Sequence, residues 1–220
     1  MNKPTIGILG TGSVGLTLGA GLARAGYPVI IGSREPKSTK LMKWVADTGA
    51  GVRTGTNAET AAFGEMVIVA TKWEGTKNAI ELAGAANFAG KVVIDTTNPI
   101  APGPPTGGVL HYAVSLENSA MEEIQRWLPD ARVVKSFSVV GAAHMVNPTF
   151  PGGDPDMWIC GNDAAAKRAV TALLENLGWK SIIDAGPVEA ACAIELLCIP
   201  WCLIGFTGGG WNHAFKVLKK

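Results

Sequence analysis

The sequence lacks the features that mark several large classes of protein. Its charges nearly balance, with 19 Lys plus Arg against 18 Asp plus Glu, so no excess of one sign favours nucleic acid or an acidic membrane surface. No charged segment, apolar run and small-residue cleavage site opens the chain, which favours a cytoplasmic protein. The most apolar stretch, residues 196–206, is shorter than the roughly 20 residues that span a bilayer. The sequence therefore predicts no nucleic-acid and no membrane partner.

Cysteine and histidine patterns typical of metal or triad chemistry are also missing. The 4 cysteines form no C-x-x-C pair, and no histidine cluster lies near the three in the C-terminal stretch, which argues against zinc. Buried free thiols are the simpler interpretation. His111, His144 and His213 show no triad spacing, so structural or solvated roles are favoured over catalysis.

Charged residues make up only 17% of the chain and apolar residues 47%. This apolar balance predicts hydrophobic surface buried between subunits, and hence a homo-oligomer, most simply a dimer. A chain of 220 residues suffices for one large core with a small appendage.

Short β-branched segments alternate with helix-length amphipathic ones, which predicts an α/β protein. The segments "VIVAT" and "VVID" are apolar without alternation, as in strands that helices cover on both faces. We therefore expect a Rossmann-type, doubly wound, mostly parallel sheet of about eight strands. Helices are predicted over residues 74–87 and 116–128, among others. Proline and glycine predict loops over 98–109 and 147–155.

The end of the chain predicts a small helical extension. After Gly186 and Pro187 the pattern becomes helical, with Pro200 as a kink or a break between two helices. We expect residues 1–184 to form the nucleotide-binding domain and residues 185–220 to form a helical part that covers a second site.

A glycine-rich turn follows the first predicted strand and opens the first predicted helix. In this context the pattern G-x-G-x-x-G is typical of dinucleotide binding. One glycine permits the tight turn, the second lets the backbone approach a pyrophosphate, and the third lets helix and strand pack closely. Unpaired amides at the helix start would bind the phosphates. The predicted contact residues are Gly10, Thr11, Gly12, Ser13, Val14 and Gly15.

The second predicted strand ends in Gly32, Ser33 and Arg34, where NAD-binding chains usually carry an acid. A guanidinium offers a fork of donors to a dianionic phosphate, and Ser33 adds a hydroxyl. The position thus favours the 2′-phosphate of NADP. Two alternatives remain: Glu35 as the ribose acid in a shifted register, or a surface pair of Arg34 with Glu35.

Other strand ends belong to the same predicted edge of the sheet, where open α/β sheets bind ligands. The residues there are Thr71, Lys72 and Trp73 after the fourth strand, Asn98 and Pro99 after the fifth, and Ser138, Val139 and Gly141 after the sixth. Packing, a turn or solvation could also explain each of them.

The chain resembles a known family in a series of segments: "GTGSVG", "GSRE", "TKW", "DTTNP", "VVKSF", "WICGND" and "DAGP" occur in this order. This order is similar to that of the coenzyme F420 (8-hydroxy-5-deazaflavin) NADP oxidoreductases. The resemblance implies that Thr11 to Val14, Ser33 and Arg34 bind NADP. It also implies that Trp73, Asn98 and Pro99 border the cofactor.

On the acceptor side, the resemblance implies contacts from Ser138, Val139 and Gly141. It implies hydride transfer between NADPH and a flat deazaflavin or flavin acceptor, which needs no side-chain nucleophile. Alternatives are a carbonyl or imine reductase with Lys72 or His144 as the proton donor, a flavin-mediated ferric reductase, and a non-catalytic NADP-binding sensor.

Overall fold

A computed structural model describes residues 3–114, 118–218 and 220. Its strands are β1 (Ile6–Leu9), β2 (Val29–Gly32), β3 (Val52–Gly55), β4 (Met66–Val69), β5 (Val92–Asp95), β6 (Arg132–Lys135), β7 (Asp156–Ile159) and β8 (Ser181–Asp184). Its helices are α1 (Ser13–Arg24), α2 (Thr39–Thr48), α3 (Asn57–Phe63), α4 (Trp73–Ala83), α5 (Ala120–Trp127), α6 (Ala164–Asn176), α7 (Ala191–Leu196) and α8 (Cys198–Ile204).

The main sheet has six parallel strands in the order β3-β2-β1-β4-β5-β6. This order confirms the Rossmann-type, doubly wound fold. Neighbouring residues of β4 contribute to opposite apolar clusters: Ile68 packs with one, and Val67 and Val69 pack with the other. Because both faces are covered, the strands read as continuous apolar runs.

The prediction of a single sheet of about eight strands is wrong in one respect. β7 and β8 form a separate two-stranded parallel sheet, with Met157 opposite Ile182. An antiparallel bridge joins it to the main sheet, where the N–H of Lys135 donates to the carbonyl of Cys160 at 3.0 Å. Within the described part of the chain, no other bridge links the two sheets, and local sequence patterns do not indicate such long-range pairing.

Two predicted helices differ in their bounds. α4 ends at Ala83 because Gly84 takes φ +79°, and a 3₁₀ turn over Ala85–Phe88 completes the predicted segment. α5 begins at Ala120, after the cap Ser119, whose hydroxyl accepts from the Glu122 N–H. The predicted start at residue 116 lies outside the described residues, and residues 118 and 119 are not helical. The two predicted loops, 98–109 and 147–155, contain no helix or named strand.

The C-terminal extension is helical, as predicted, and its break lies at Leu197, between α7 and α8. Pro200 follows by three positions and cannot donate to the carbonyl four residues earlier, which accounts for a break here.

The helical stretch is longer than its apolar run indicated. The helical stretch Val188–Gly209, which includes α7 and α8, spans 22 residues. Among the described residues, it is the one stretch that is long and apolar enough to cross a membrane, judged by length and composition alone. However, 33% of its most apolar window is buried within the protein, and Glu195 within it binds Lys135. One face of the segment, with Ile194, Cys198 and Trp201, packs in the core.

Candidate nucleotide-binding site

The turn after β1 is shaped by contacts that only glycine permits. Gly10 has φ +126°, and a Cβ there would come 2.2 Å from the carbonyl oxygen of Ala70. A Cβ on Gly15 would come 2.2 Å from the carbonyl oxygen of Gly10. Gly12 differs, because a Cβ there would meet nothing within 4 Å. The first and third glycines are thus required by the protein's own packing, whereas the second leaves space for a ligand.

The start of α1 offers unpaired backbone donors to this space. Gly12 is the N-cap and has no side chain to accept from the first turn, which also contains no acidic residue. The amides of Ser13, Val14 and Gly15 precede the first intrahelical hydrogen bond, from Leu16 N–H to the Gly12 carbonyl. Such a helix start binds anions through its N–H groups and its dipole.

At the end of β2, Gly32 is also set by packing. A Cβ there would lie 3.0 Å from the side-chain oxygens of Asn57 and Thr60. Ser33 donates its N–H to the Gly55 carbonyl at 2.9 Å, and its hydroxyl accepts from the Glu35 N–H at 3.0 Å. The turn directs the side chain that follows it out of the sheet edge.

Arg34 is exposed, and within the described ranges it makes no hydrogen bond or ion pair, including with Glu35. The structure therefore does not form the alternative surface pair of Arg34 with Glu35. A guanidinium without a protein partner beside an anion-binding turn fits the 2′-phosphate of NADP.

These elements surround one cavity of about 770 Å³ at the carboxyl ends of β1, β2 and β4. The predicted residues that line it are Gly10, Thr11, Gly12, Ser13, Val14, Ser33, Arg34, Thr71 and Lys72. Its size and position suit a nucleotide at the switch point of a doubly wound sheet.

Two residues at this site had a weak sequence signal or none. Lys40 lies on α2, and its ammonium donates to the carbonyl of the lining residue Thr11 at 3.1 Å, so it ties α2 to the glycine turn. Asn57 opens α3 and lines the cavity although it is 8% exposed, with its amide 3.4 Å from the Ala79 carbonyl. Asn57 comes close to β2 only through the tertiary fold, so the local sequence gives no sign of this contact.

After β4, the predicted residues divide. Thr71 and Lys72 line the cavity, and the Thr71 hydroxyl lies 2.8 Å from that of Thr76. Trp73 begins α4 and stacks on Trp127 with ring centroids 5.5 Å apart. Packing against Trp127 therefore explains why position 73 carries an aromatic side chain.

The ends of β5 and β6 lie further along the same edge. The Asn98 amide donates to the Ser138 carbonyl at 2.7 Å, which joins the two strand ends. The Asn98 Oδ1 and Ser138 Oγ atoms are buried and, among the described residues, have no hydrogen-bond partner. Pro99 is buried beside them. Unpartnered buried oxygens are costly, so these two atoms are candidates for contact with a ligand or water.

The C-terminal extension covers the segment after β6. Val139 is buried in the apolar cluster that contains Trp201, and a Cβ on Gly141 would lie 3.2 Å from the Trp201 ring. Trp201 donates to the His213 carbonyl at 3.0 Å and packs 5.5 Å from Trp211. Val139 and Gly141, two of the residues predicted for the acceptor side, thus lie beneath Trp201 of α8.

The histidines and cysteines take structural positions. His111 bonds to Thr106 at 2.8 Å, His144 to Asn212 at 3.2 Å, and His213 to the Trp201 carbonyl at 2.9 Å. Burial raises the pKa of Cys160 to about 12, so its thiol stays protonated. Across the described residues, no group of three His, Cys, Asp or Glu side chains could hold a metal ion.

Sequence reasoning missed a buried charged cluster of Asp95, Lys135 and Glu195. The Lys135 ammonium lies 2.8 Å from an Asp95 oxygen and 2.7 Å from a Glu195 oxygen. Burial favours the neutral lysine, but the two carboxylates more than offset it and raise its pKa. The signal was a charged residue at the end of each of two strands whose central residues are apolar, "VVID" and "RVVK".

The parallel sheet, the glycine turn and the partner-free arginine together define a Rossmann-type dinucleotide-binding protein. The family model for "NADP oxidoreductase coenzyme F420-dependent" matches residues 5–99. The F420-dependent NADP reductase of Methanothermobacter marburgensis is 32% identical over 193 residues, which cover 84% of this chain and 85% of the relative. The chain belongs to the family of coenzyme F420-dependent NADP oxidoreductases.

Two further similarities extend this result. A crystal structure of an Arthrobacter sp. FB24 protein, provisionally assigned as an F420-dependent NADP reductase, has a TM-score of 0.92 and 36% identity, covering 99% of this chain and 100% of that one. The metalloreductase STEAP3 of Rattus norvegicus is 28% identical over 196 residues. That match covers 88% of this chain but only 36% of STEAP3. Membership of an oxidoreductase family favours an enzyme over the non-catalytic sensor.

Proposed function

We propose that the protein is an enzyme that transfers a hydride between NADPH and a deazaflavin of the coenzyme F420 type. The observation that carries the proposal is the pairing of a partner-free Arg34 with the open space at Gly12, on two sides of one cavity. The first selects a 2′-phosphate, and the second admits a pyrophosphate. Relatives named F420-dependent NADP reductases supply the acceptor class.

In this proposal the cavity residues bind and orient the adenosine half of NADPH. Arg34 and Ser33 contact the 2′-phosphate, and the amides at the start of α1 bind the pyrophosphate. Thr71 and Lys72 border the cofactor where it crosses the end of β4. None of these residues needs to exchange a proton, because they act by position and charge.

Asn98 and Pro99 would border the nicotinamide half, and Ser138, Val139 and Gly141 would border the acceptor. When bound, NADPH supplies a hydride, and the deazaflavin takes it with one proton from solvent to give NADP⁺ and the reduced deazaflavin. The protein aligns the two rings and excludes water.

Purified protein should be mixed with NADPH and each of four acceptors: coenzyme F420, FMN, a ferric chelate and a simple carbonyl. Loss of the reduced-nicotinamide absorbance measures turnover. We expect the fastest turnover with coenzyme F420. Turnover with the carbonyl alone would overturn the proposal.

Flavin-mediated ferric reduction is a second candidate, and the similarity to STEAP3 supports it. It predicts NADPH-dependent ferric reduction only after a flavin is added. Carbonyl or imine reduction has weaker support, because His144 bonds to Asn212 and packs 4.7 Å from Phe150. Lys72 remains its candidate proton donor.

We further propose a cytoplasmic homodimer in which residues 1–184 bind NADP and residues 185–220 cover the acceptor. Large apolar side chains near the C-terminus support a subunit contact: Phe206 and Trp211 are each 46% exposed, and Leu218 is 88% exposed. Light scattering after size exclusion tests this, with twice the chain mass of 22.8 kDa expected. A mass of one chain at micromolar concentration would contradict the dimer.

A further inference from the structure

The buried cluster of Asp95, Lys135 and Glu195 connects four elements. The three side chains are 0%, 0% and 2% exposed, and they come from the ends of β5 and β6 and from α7. Glu195 also accepts from the N–H groups of Ala120 at 3.0 Å and Met121 at 3.2 Å, at the start of α5. Charged groups are rarely buried this completely unless every one of them is paired.

The cluster also fixes the turn that follows β5. One Asp95 oxygen accepts from both the N–H and the hydroxyl of Thr97, each at 2.8 Å. The Lys135 ammonium donates to the Thr97 carbonyl at 2.5 Å. Every polar group of Thr97 is therefore bound to the cluster, and the backbone leaves the sheet in one direction.

Asn98 is the next residue, and its amide is oriented by a second contact. The side-chain nitrogen donates to the Ser138 carbonyl at 2.7 Å, which leaves Oδ1 as a buried acceptor with no partner among the described residues. β5 lies directly beside β4, whose end lines the nucleotide cavity. A dinucleotide with its adenosine half in that cavity would place its nicotinamide half at the end of β5.

We propose that Asp95, Lys135 and Glu195 are positioning residues that hold the Asn98 carboxamide oxygen as the acceptor for a donor of the nicotinamide riboside, an amide N–H or a ribose hydroxyl. Through Glu195, the cluster makes this contact depend on the packing of α7. The inference rests on the proposed function and deepens it. It states that residues outside the cavity position the side chain that contacts the nicotinamide riboside.

Binding of two ligands tests it. NADPH reaches both halves of the site, whereas 2′,5′-ADP reaches only the adenosine half. Calorimetry should use the wild type, Asn98→Ala, Thr97→Val and Glu195→Gln. We expect each variant to bind NADPH about tenfold more weakly and to bind 2′,5′-ADP within about twofold of the wild type. Arg34→Ala is the matched control and should weaken both ligands alike.

A double variant separates positioning from general packing. If Thr97 acts through Asn98, adding Thr97→Val to Asn98→Ala should weaken NADPH binding no further. Equal losses for both ligands, unchanged NADPH binding, or additive losses in the double variant would overturn the inference. Thr97→Val keeps the shape of the side chain. Its NADPH binding therefore tests the inference even if Glu195→Gln does not fold. Absence of NADPH binding in the wild type would overturn the proposed function as well.

Discussion

Gly15 packs so closely against Gly10 that an added Cβ would come 2.2 Å from the Gly10 carbonyl oxygen. Gly15→Ala should therefore push α1 away from β1, lower the free energy of unfolding by about 1–3 kcal/mol and weaken NADPH binding. Thermal unfolding and NADPH titration measure the two effects.

Gly12→Ala is the matched control, because a Cβ there meets no protein atom within 4 Å and the backbone is extended at φ −79°. We expect NADPH binding to fall while the unfolding temperature stays within a degree or two, roughly the range of neutral surface changes. Unchanged NADPH binding in Gly12→Ala would show that the open space at Gly12 is not occupied by the ligand.

Arg34→Asp should weaken NADPH binding by about 3 kcal/mol, because a charge-assisted contact to the 2′-phosphate is lost and a like charge is introduced. Binding of NADH should be spared, and stability should not change because Arg34 is exposed. Titrations of both nucleotides check this, with Lys37→Asp as a control of equal charge change nearby. Parallel losses for NADH and NADPH would contradict the assignment.

Lys135→Met should lower the free energy of unfolding by about 3–5 kcal/mol at neutral pH, because it leaves two buried carboxylates without their cation. Denaturant unfolding at neutral pH measures this loss. Lys167→Met is the control: its partner Asp184 is 51% exposed, so we expect a cost below about 1 kcal/mol.

Asp156 should hold the C-terminal tail in a pH-dependent way. Burial alone would raise its pKa, but hydrogen bonds from Ser181, the Val217 N–H and Lys216 offset this and lower its pKa. Because the folded pKa lies below the usual 3.8, the stabilisation is present above that value and is lost as pH falls through the folded pKa.

Hydrogen exchange of residues 215–218 tests this behaviour. Protection should be constant from neutral pH down to about 4 and should fall below it. Asp156→Asn should show low protection that hardly depends on pH, whereas Asp154→Asn, in a surface pair with Lys180, should behave as the wild type. Strong protection of the tail in Asp156→Asn would contradict the prediction.

Features that depend on local sequence could be predicted. The apolar runs around Ile68 and Ile94 indicated a covered parallel sheet, and the spacing of Gly10, Gly12 and Gly15 indicated the turn that the structure shows. Pro200 indicated a break between α7 and α8. In each case the physical cause lies within a few residues of the signal.

Features that depend on distant partners could not be predicted from the sequence. The stacking of Trp73 on Trp127, 54 positions later, has no signal in the segment around either residue. The separation of β7 and β8 from the main sheet depends on pairing across more than twenty residues. Glu195 lies 60 positions from Lys135, and nothing in either local segment indicates the other. Buried charge pairs of this kind become visible only when the elements are assembled.

The link between Glu195 and Lys135 also limits how far the chain can be divided. A fragment that stops at Asp184 would keep the whole six-stranded sheet and the glycine turn, yet it would expose Lys135 and Asp95 to water from which the full chain shields them. The start of α5 would lose its anionic acceptor in the same cut. Exchange of the last 36 residues between family members would therefore need this carboxylate to be retained.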